Sequence, residues 1–361
     1  MKMLGQQGPD AWKETSRQLA ANVVQAEGGN ANADPALRQR FETISSIALR
    51  RVDLLLASTG TIDVVSRQQL AEVCLEDWQP LLATGLRPPT TDSLSGLGGP
   101  EMAPFIAEIA KTMGPLFLGF QSGSAAGHFA LQAWSLSQLP LPRRSSRGVV
   151  AVDNVGQFAT EWSVDIDHAL CYASAHEAIG ANFLSRNGSA IALEALLFDA
   201  VNDASAAQGD IMQRLTDLFH GGGIEDYIGN PDRIIDQLGD LTETPATIRL
   251  DSAICVLRAA IDALASRVTT EVVGPTPTLT EAVRRSQRDA ESGIAMAAAM
   301  FGVTLAGERM DQARTFVESV LANYDDVALI SLTQADGLPL PTEVDDVTAW
   351  FERVRTSPLA N

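Results

Sequence analysis

The 361-residue sequence has few cysteines, few histidines and little basic charge. Its three cysteines, Cys74, Cys171 and Cys255, are scattered and odd in number. Neither a disulfide framework nor a CxxC metal pair follows from them, and each reads as a small buried apolar residue. Lys and Arg total 26 against 45 Asp and Glu, a formal net charge of −19. Nucleic acid and anionic membrane surfaces both need a basic footprint, so neither is an expected partner. The opening Met-Lys-Met-Leu-Gly-Gln-Gln-Gly-Pro lacks an apolar h-region, which reads as no secretory signal and points to the cytoplasm. No internal repeat and no low-complexity tract is visible.

Charge is missing altogether between Thr112 and Pro142. That run is long enough to span a bilayer. It also holds Gln121, His128, Gln132, Gln138 and several serines, each costly against lipid. Gly119, Gly123 and Gly127 recur every four residues and share one helix face, where a second backbone can approach closely. The run therefore reads as a helix buried through a soluble domain, with no membrane span.

What the chain does have is helical periodicity. Amphipathic spacing predicts helices over about 9–27, 36–56, 66–84, 101–111, 114–139, 189–204, 208–219, 248–273, 280–298 and 306–321, with a short last one through Trp350. Arg87-Pro-Pro through Gly99-Pro100 reads as a surface loop, and Leu139-Pro-Leu-Pro-Arg-Arg-Ser-Ser-Arg as a linker. Gly148-Val-Val-Ala-Val-Asp-Asn is the best strand candidate. The expected fold is mainly α, with a small β element near 148–154. An N-terminal helical region, 1–100, and a core, 101–361, are expected to form one compact unit.

The central stretch is His168-Ala-Leu-Cys-Tyr-Ala-Ser-Ala-His176-Glu177-Ala-Ile-Gly180, a helix opened by Ser163-Val-Asp-Ile-Asp as capping material. His176-Glu177-Ala-Ile-Gly180 is the first half of H-E-x-x-H. In the intact motif two histidines on one helix face bind zinc, and the glutamate is general base toward the metal-bound water. Gly180 stands where the second histidine belongs and offers no side chain. His168 and Tyr172 share a face with His176, so His168, His176 and a carboxylate form an alternative metal set. Two further motifs read as bland. His220-Gly-Gly-Gly lacks any G-x-S-x-G partner and reads as a flexible loop. Glu225, Asp226, Asp232 and Asp236 read as a solvated acidic face.

The order of these pieces resembles the zincin-like metallopeptidase family of actinobacteria, usually described as zinc-dependent metalloproteases or hydrolases. The resemblance runs over nearly the whole chain. It rests on Ser66-Arg-Gln-Gln-Leu through Trp78, on the glycine-spaced helix ending in Leu136-Ser-Gln-Leu-Pro-Leu-Pro, and on Val149-Val-Ala-Val-Asp-Asn. It continues with His176-Glu177 followed by Asn182-Phe-Leu, and with the tail Leu338-Pro-Leu-Pro-Thr-Glu through Trp350 and Arg353-Val354. The resemblance implies a multi-helix zincin-like domain and peptide hydrolysis. It places His176 at the first zinc ligand, Glu177 at the general base and Gly180 at the second ligand. An ungapped match from Arg249-Leu250-Asp251 puts Arg258 at the third ligand, a family glutamate; a gapped match would put Asp262 there. Two ligand positions, Gly180 and Arg258, are then lost, and His176 and Glu177 are vestigial. The expectation is a family member without zinc or catalysis, with no cofactor, acting on an unknown protein or peptide partner. A Glu177–Arg258 ion pair is expected to replace the metal charge. The alternative is an active zinc-dependent hydrolase with ligands rearranged around His176 and Glu177.

Overall fold

A computed structural model describes residues 11–27, 34–57, 60–85, 103–185, 188–203, 244–288, 292–305 and 307–356. The expected helix 208–219, the His220 loop, the acidic group at 225–236 and the Arg87–Pro100 loop lie outside the described residues. The described chain is mainly helical, with one two-stranded sheet. In chain order the elements are α1 (Ala11–Ala26), α2 (Pro35–Leu56), β1 (Ile62–Val64), α3 (Arg67–Gly85) and α4 (Ala103–Gln132). They continue with β2 (Gly148–Val150), α5 (Val152–Glu161), α6 (Ile166–Leu184), α7 (188–203) and α8 (Pro245–Val273). The C-terminal set is α9 (Pro277–Ser286), α10 (Gly293–Ala299), α11 (Gly307–Asn323), α12 (Asp326–Ile330) and α13 (Val347–Thr356).

Helix α6 is the axis of the core. Asp165 caps it, its side chain accepting from the N–H groups of Asp167 and His168. From Ala169 to Leu184 every residue except Asn182 is buried. A helix apolar on all sides belongs at the centre of a domain. Accordingly α8 packs on one side of it and α2 on another, while α5 and β2 close the remainder.

The uncharged run forms most of α4, and its glycine stripe has a visible reason. A Cβ on Gly119 would come within 2.8 Å of the Trp12 carbonyl oxygen, and one on Gly123 within 2.6 Å of the Ser16 carbonyl oxygen. One on Gly127 would meet the Val23 side chain at 2.7 Å. The second backbone invited by the stripe is therefore α1. Among the described residues no helix is long and apolar enough to cross a membrane.

Several expected boundaries shift. The helices expected over 101–111 and 114–139 are one, α4, running through Gly114-Pro115 and ending at Gln132. A proline there costs one backbone hydrogen bond. The rest of the expected span is irregular chain and a 3-10 turn, Leu136–Gln138. The β element of 148–154 is shorter: its strand ends at Val150, and Asp153 lies inside α5. Its partner, β1, pairs in parallel with Ile62 opposite Gly148 and Val64 opposite Val150. The helix expected over 280–298 is two, α9 and α10. The expected linker is buried over 139–143 and exposed over 144–147.

Candidate functional site

The site sits at the middle of α6, where consecutive residues point to different neighbours. Glu177 is 0% exposed. Its Oε1 accepts from Arg143 Nη1 at 2.7 Å and from the Val149 N–H at 2.9 Å. Its Oε2 accepts from the Ser137 hydroxyl at 2.7 Å, the Ser137 N–H at 3.1 Å and Arg143 Nη2 at 3.1 Å. Arg143 Nη2 also donates to the Ser137 hydroxyl oxygen at 2.7 Å. Burial alone would push the Glu177 carboxyl up. The Arg143 charge and hydrogen bonds, with those of Ser137 and Val149, overcome burial and hold it below its ordinary value.

The expected Glu177–Arg258 pair is therefore corrected: the cation on Glu177 is Arg143. The physical reason is the path of the chain. After α4 the backbone turns under α6 through the 3-10 turn, bringing Ser137 and Arg143 to the Glu177 side, while Arg258 comes from α8. Arg143 was invisible as a site residue because a Pro-rich segment with basic residues ordinarily reads as a surface linker, and Ser137 because it falls in the run read as a buried helix. One signal was available: Arg143 is the first charge after the uncharged run.

Gly180 faces the same cage. A Cβ built there would fall inside the van der Waals shell of the Ser137 Oγ and Cβ, and at 3.5 Å from Ile261 Cδ1. The space beside Gly180 is filled by Ser137. Gly148, on β2, is held for a related reason, since a Cβ there would meet Glu177 Cγ at 3.0 Å.

His176, 1% exposed, lies toward α8. Its Nε2 is 3.2 Å from Asp262 Oδ1, and its ring stands 5.5 Å from that of Tyr172. The Tyr172 hydroxyl donates to Asp262 Oδ1 at 2.7 Å, and Gln287 Nε2 donates to Asp262 Oδ2 at 2.8 Å. Burial would raise the Asp262 carboxyl. The His176 hydrogen bond and charge, then Arg258 and Tyr172, hold it below its ordinary value. Asp262, not Arg258, is the α8 residue brought onto His176. Arg258 stands one helical turn earlier and is 3% exposed. His168 belongs to the first turn of α6, two turns and about 12 Å from His176 along a continuous helix. The helix sets His168 apart from the His176–Asp262 pair.

A catalytic zinc takes three protein ligands and keeps an open position for water. Of the positions that the resemblance assigns to the second and third ligands, Gly180 has neither side chain nor room, and Arg258 carries a guanidinium. The would-be general base has both oxygens committed to donors. Among the described residues no three His, Cys, Asp or Glu side chains converge as a metal site. The residues at these positions do not fit a catalytic zinc.

Comparison with known proteins completes the picture. No curated protein sequence matches the chain. A crystal structure of a "putative hydrolase with a novel fold" from Chloroflexus aurantiacus superposes with a TM-score of 0.57 at 15% identity. The match covers 95% of this chain and 98% of that one, a likeness of fold. The family model described as zincin-like metallopeptidase matches residues 11–351. On that match, which spans the helix carrying His176 and Glu177 and everything packed on it, the chain belongs to the zincin-like metallopeptidase family.

Proposed function

We propose that this chain is a catalytically silent member of its family, acting by binding or assembly in place of peptide hydrolysis. The observation that carries the reading is the state of Glu177. A general base must present a free lone pair to the water it deprotonates. Glu177 receives five hydrogen bonds, two of them from a buried guanidinium, and has a lowered proton affinity. The charge that a metal would bring is supplied by Arg143, from within the chain. Protein or peptide partners suit a retained family scaffold, and three buried, unpaired cysteines suit the cytoplasm.

A second reading, a rearranged metal site, has one observation in its favour: the 3.2 Å approach of His176 Nε2 to Asp262 Oδ1, a pair of residue types that ligate zinc. Elemental analysis separates the two. The chain is expressed with zinc and purified without chelator. The proposal expects zinc well below stoichiometric and no hydrolysis of a fluorogenic peptide library. Stoichiometric zinc that disappears in His176→Ala, with hydrolysis that disappears in Glu177→Gln, would overturn it.

A further inference from the structure

Two exposed surfaces of this chain match each other in length and in charge. The first is the outer face of α2. That helix buries Phe41, Ser45, Ala48 and Val52 and turns Ile47 and Leu54 outward, 48% and 78% exposed. Ile47, Arg50, Arg51 and Leu54 stand at i, i+3, i+4 and i+7, so they share one face, with an arginine on either side of the apolar pair. Arg50 and Arg51 are exposed and have no ion pair among the described residues. They lie ahead of the last turn of α2, so the helix C-terminus does not account for them. The arginines ending α9 do have a local reason. Arg284 and Arg285 lie in its last turn, where cations suit the helix dipole, and Arg285 pairs with Glu281 at 2.6 Å.

The second surface is a groove of about 630 Å³ between α11 and the segment entering α13. Its floor is apolar, with Phe316 and Val344 buried and Val347 half-buried. Its rim is acidic on both walls, with Glu308 and Asp311 on α11 and Asp345 across from them. Asp311 pairs with Arg314 at 2.8 Å, whereas Glu308 and Asp345 have no ion pair among the described residues. No cation lines the groove among the described residues. It runs along α11 from Glu308 to Ser319, about 16 Å at 1.5 Å per residue, and on the same scale Ile47 and Leu54 lie about 10 Å apart. A helix face anchored at i, i+3, i+4 and i+7 in an apolar groove is a general mode of recognition.

A net charge of −19 makes copies of this chain repel one another in most orientations. A basic, apolar face against an acidic, apolar groove is an orientation in which the local charges attract. Both surfaces are exposed in the single chain, so they meet only between copies. We propose that the chain self-associates, with the α2 face of one copy seated in the α11–α13 groove of another. Ile47 and Leu54 rest on the floor at Phe316 and Val344, while Arg50 and Arg51 pair with carboxylates of the two walls. Because the surfaces are unlike, reciprocal docking gives a two-fold dimer, and head-to-tail docking gives rings or chains. The inference does not rest on catalytic silence at Glu177.

Sedimentation velocity of the full chain tests it, from about 5 to about 500 μM at roughly physiological salt, a range that brackets weak contacts. The sedimentation coefficient is expected to rise reversibly with concentration. Arg50→Glu with Arg51→Glu makes the α2 face acidic, and Glu308→Arg with Asp345→Arg makes the groove rim basic. These side chains are all exposed, and circular dichroism checks that each protein folds. Each double variant alone is expected to associate at least about tenfold more weakly, because like charges then face each other. An equimolar mixture of the two is expected to regain association, since every face then finds a groove of opposite charge. A chain that stays monomeric across the range overturns the proposal and leaves the groove to a basic segment of another protein. Association that survives either reversal, or a mixture that stays as weak as its components, also overturns it.

Discussion

At the scale of the residue, a buried carboxylate is tolerated only with its charge answered. The Glu177 cage supplies two guanidinium donors, two backbone N–H groups and a hydroxyl. Breaking such a pair from one side leaves the other charge stranded, so Arg143→Met is expected to lower stability by about 3–5 kcal/mol in denaturant unfolding. Arg143→Met with Glu177→Leu should lose less than the sum of the two single variants, since no charge remains alone. The lowered Glu177 pKa sets the sign of a pH effect. A carboxyl with a lower pKa folded than unfolded contributes stability that is complete above the unfolded value. That stability is lost as pH falls through the folded one. Thermal melts of the natural chain should therefore fall as pH drops below about 4.3, the ordinary glutamate value. Glu177→Gln, which has no charge to lose, should show a shallower acid slope. An equal slope in the two proteins would mean that Glu177 is not ionised in the fold. Gly180 gives a test of how closely Ser137 packs on α6. Restoring the motif by Gly180→His should destabilise the chain, with Gly180→Ala alone costing about 1–3 kcal/mol from overpacking against Ser137. Neither change should create zinc binding, which elemental analysis of the purified variants reports.

At the scale of the element, helices here are placed by what lies on their faces. The Gly119–Gly123–Gly127 stripe lets the α1 backbone seat directly on α4. Gly123→Ala inserts a methyl within 2.6 Å of the Ser16 carbonyl oxygen, so the two helices must separate. The expected outcome is faster limited proteolysis within α1 and a loss of about 1–3 kcal/mol. Where α8 meets α11, Asp251, 1% exposed, plays the part on the C-terminal side that Glu177 plays at the centre. It accepts from the N–H groups of Thr304 and Leu305, from the Thr304 hydroxyl at 2.7 Å and from Arg309 Nη1 at 2.6 Å. These two cages are where polar groups, not apolar area, specify how one segment meets the next. The stripe was legible in the sequence, since glycines recurring every four residues are a geometric statement about one helix. The cages were not, because their donors come from distant segments: Ser137 lies 40 residues from Glu177 and Thr304 53 residues from Asp251.

At the scale of the whole molecule, contacts cross freely between the N-terminal helices and the remainder. Helix α1 lies on α4, α2 on α6 and on α8, and α3 on α4. Trp78, on α3, meets Phe129 and Phe301 edge-on at 5.4 and 5.7 Å. The far end is tied in as well, with Trp350 of α13 meeting Phe316 of α11 edge-on at 5.1 Å. We expect one cooperative thermal transition by calorimetry. A chain beginning after α2 should fail to give a folded product, because α6 would be stripped along one side. Two resolved transitions, or a stable truncated chain, would instead establish separate N-terminal and core domains.

The sequence by itself determined the helical class and the central place of the His176–Glu177 helix. Each is a property of spacing or of residue type within one segment, and helical periodicity carries that information locally. It also carried the family, now matched over residues 11–351. Only the tertiary structure decided which cation answers Glu177, which α8 residue meets His176, and what fills the space at Gly180. Those answers depend on the turn after α4 and on the rotation of α8 about its own axis. A shift of one helical turn exchanges Arg258 for Asp262, and no pattern within either segment fixes that turn.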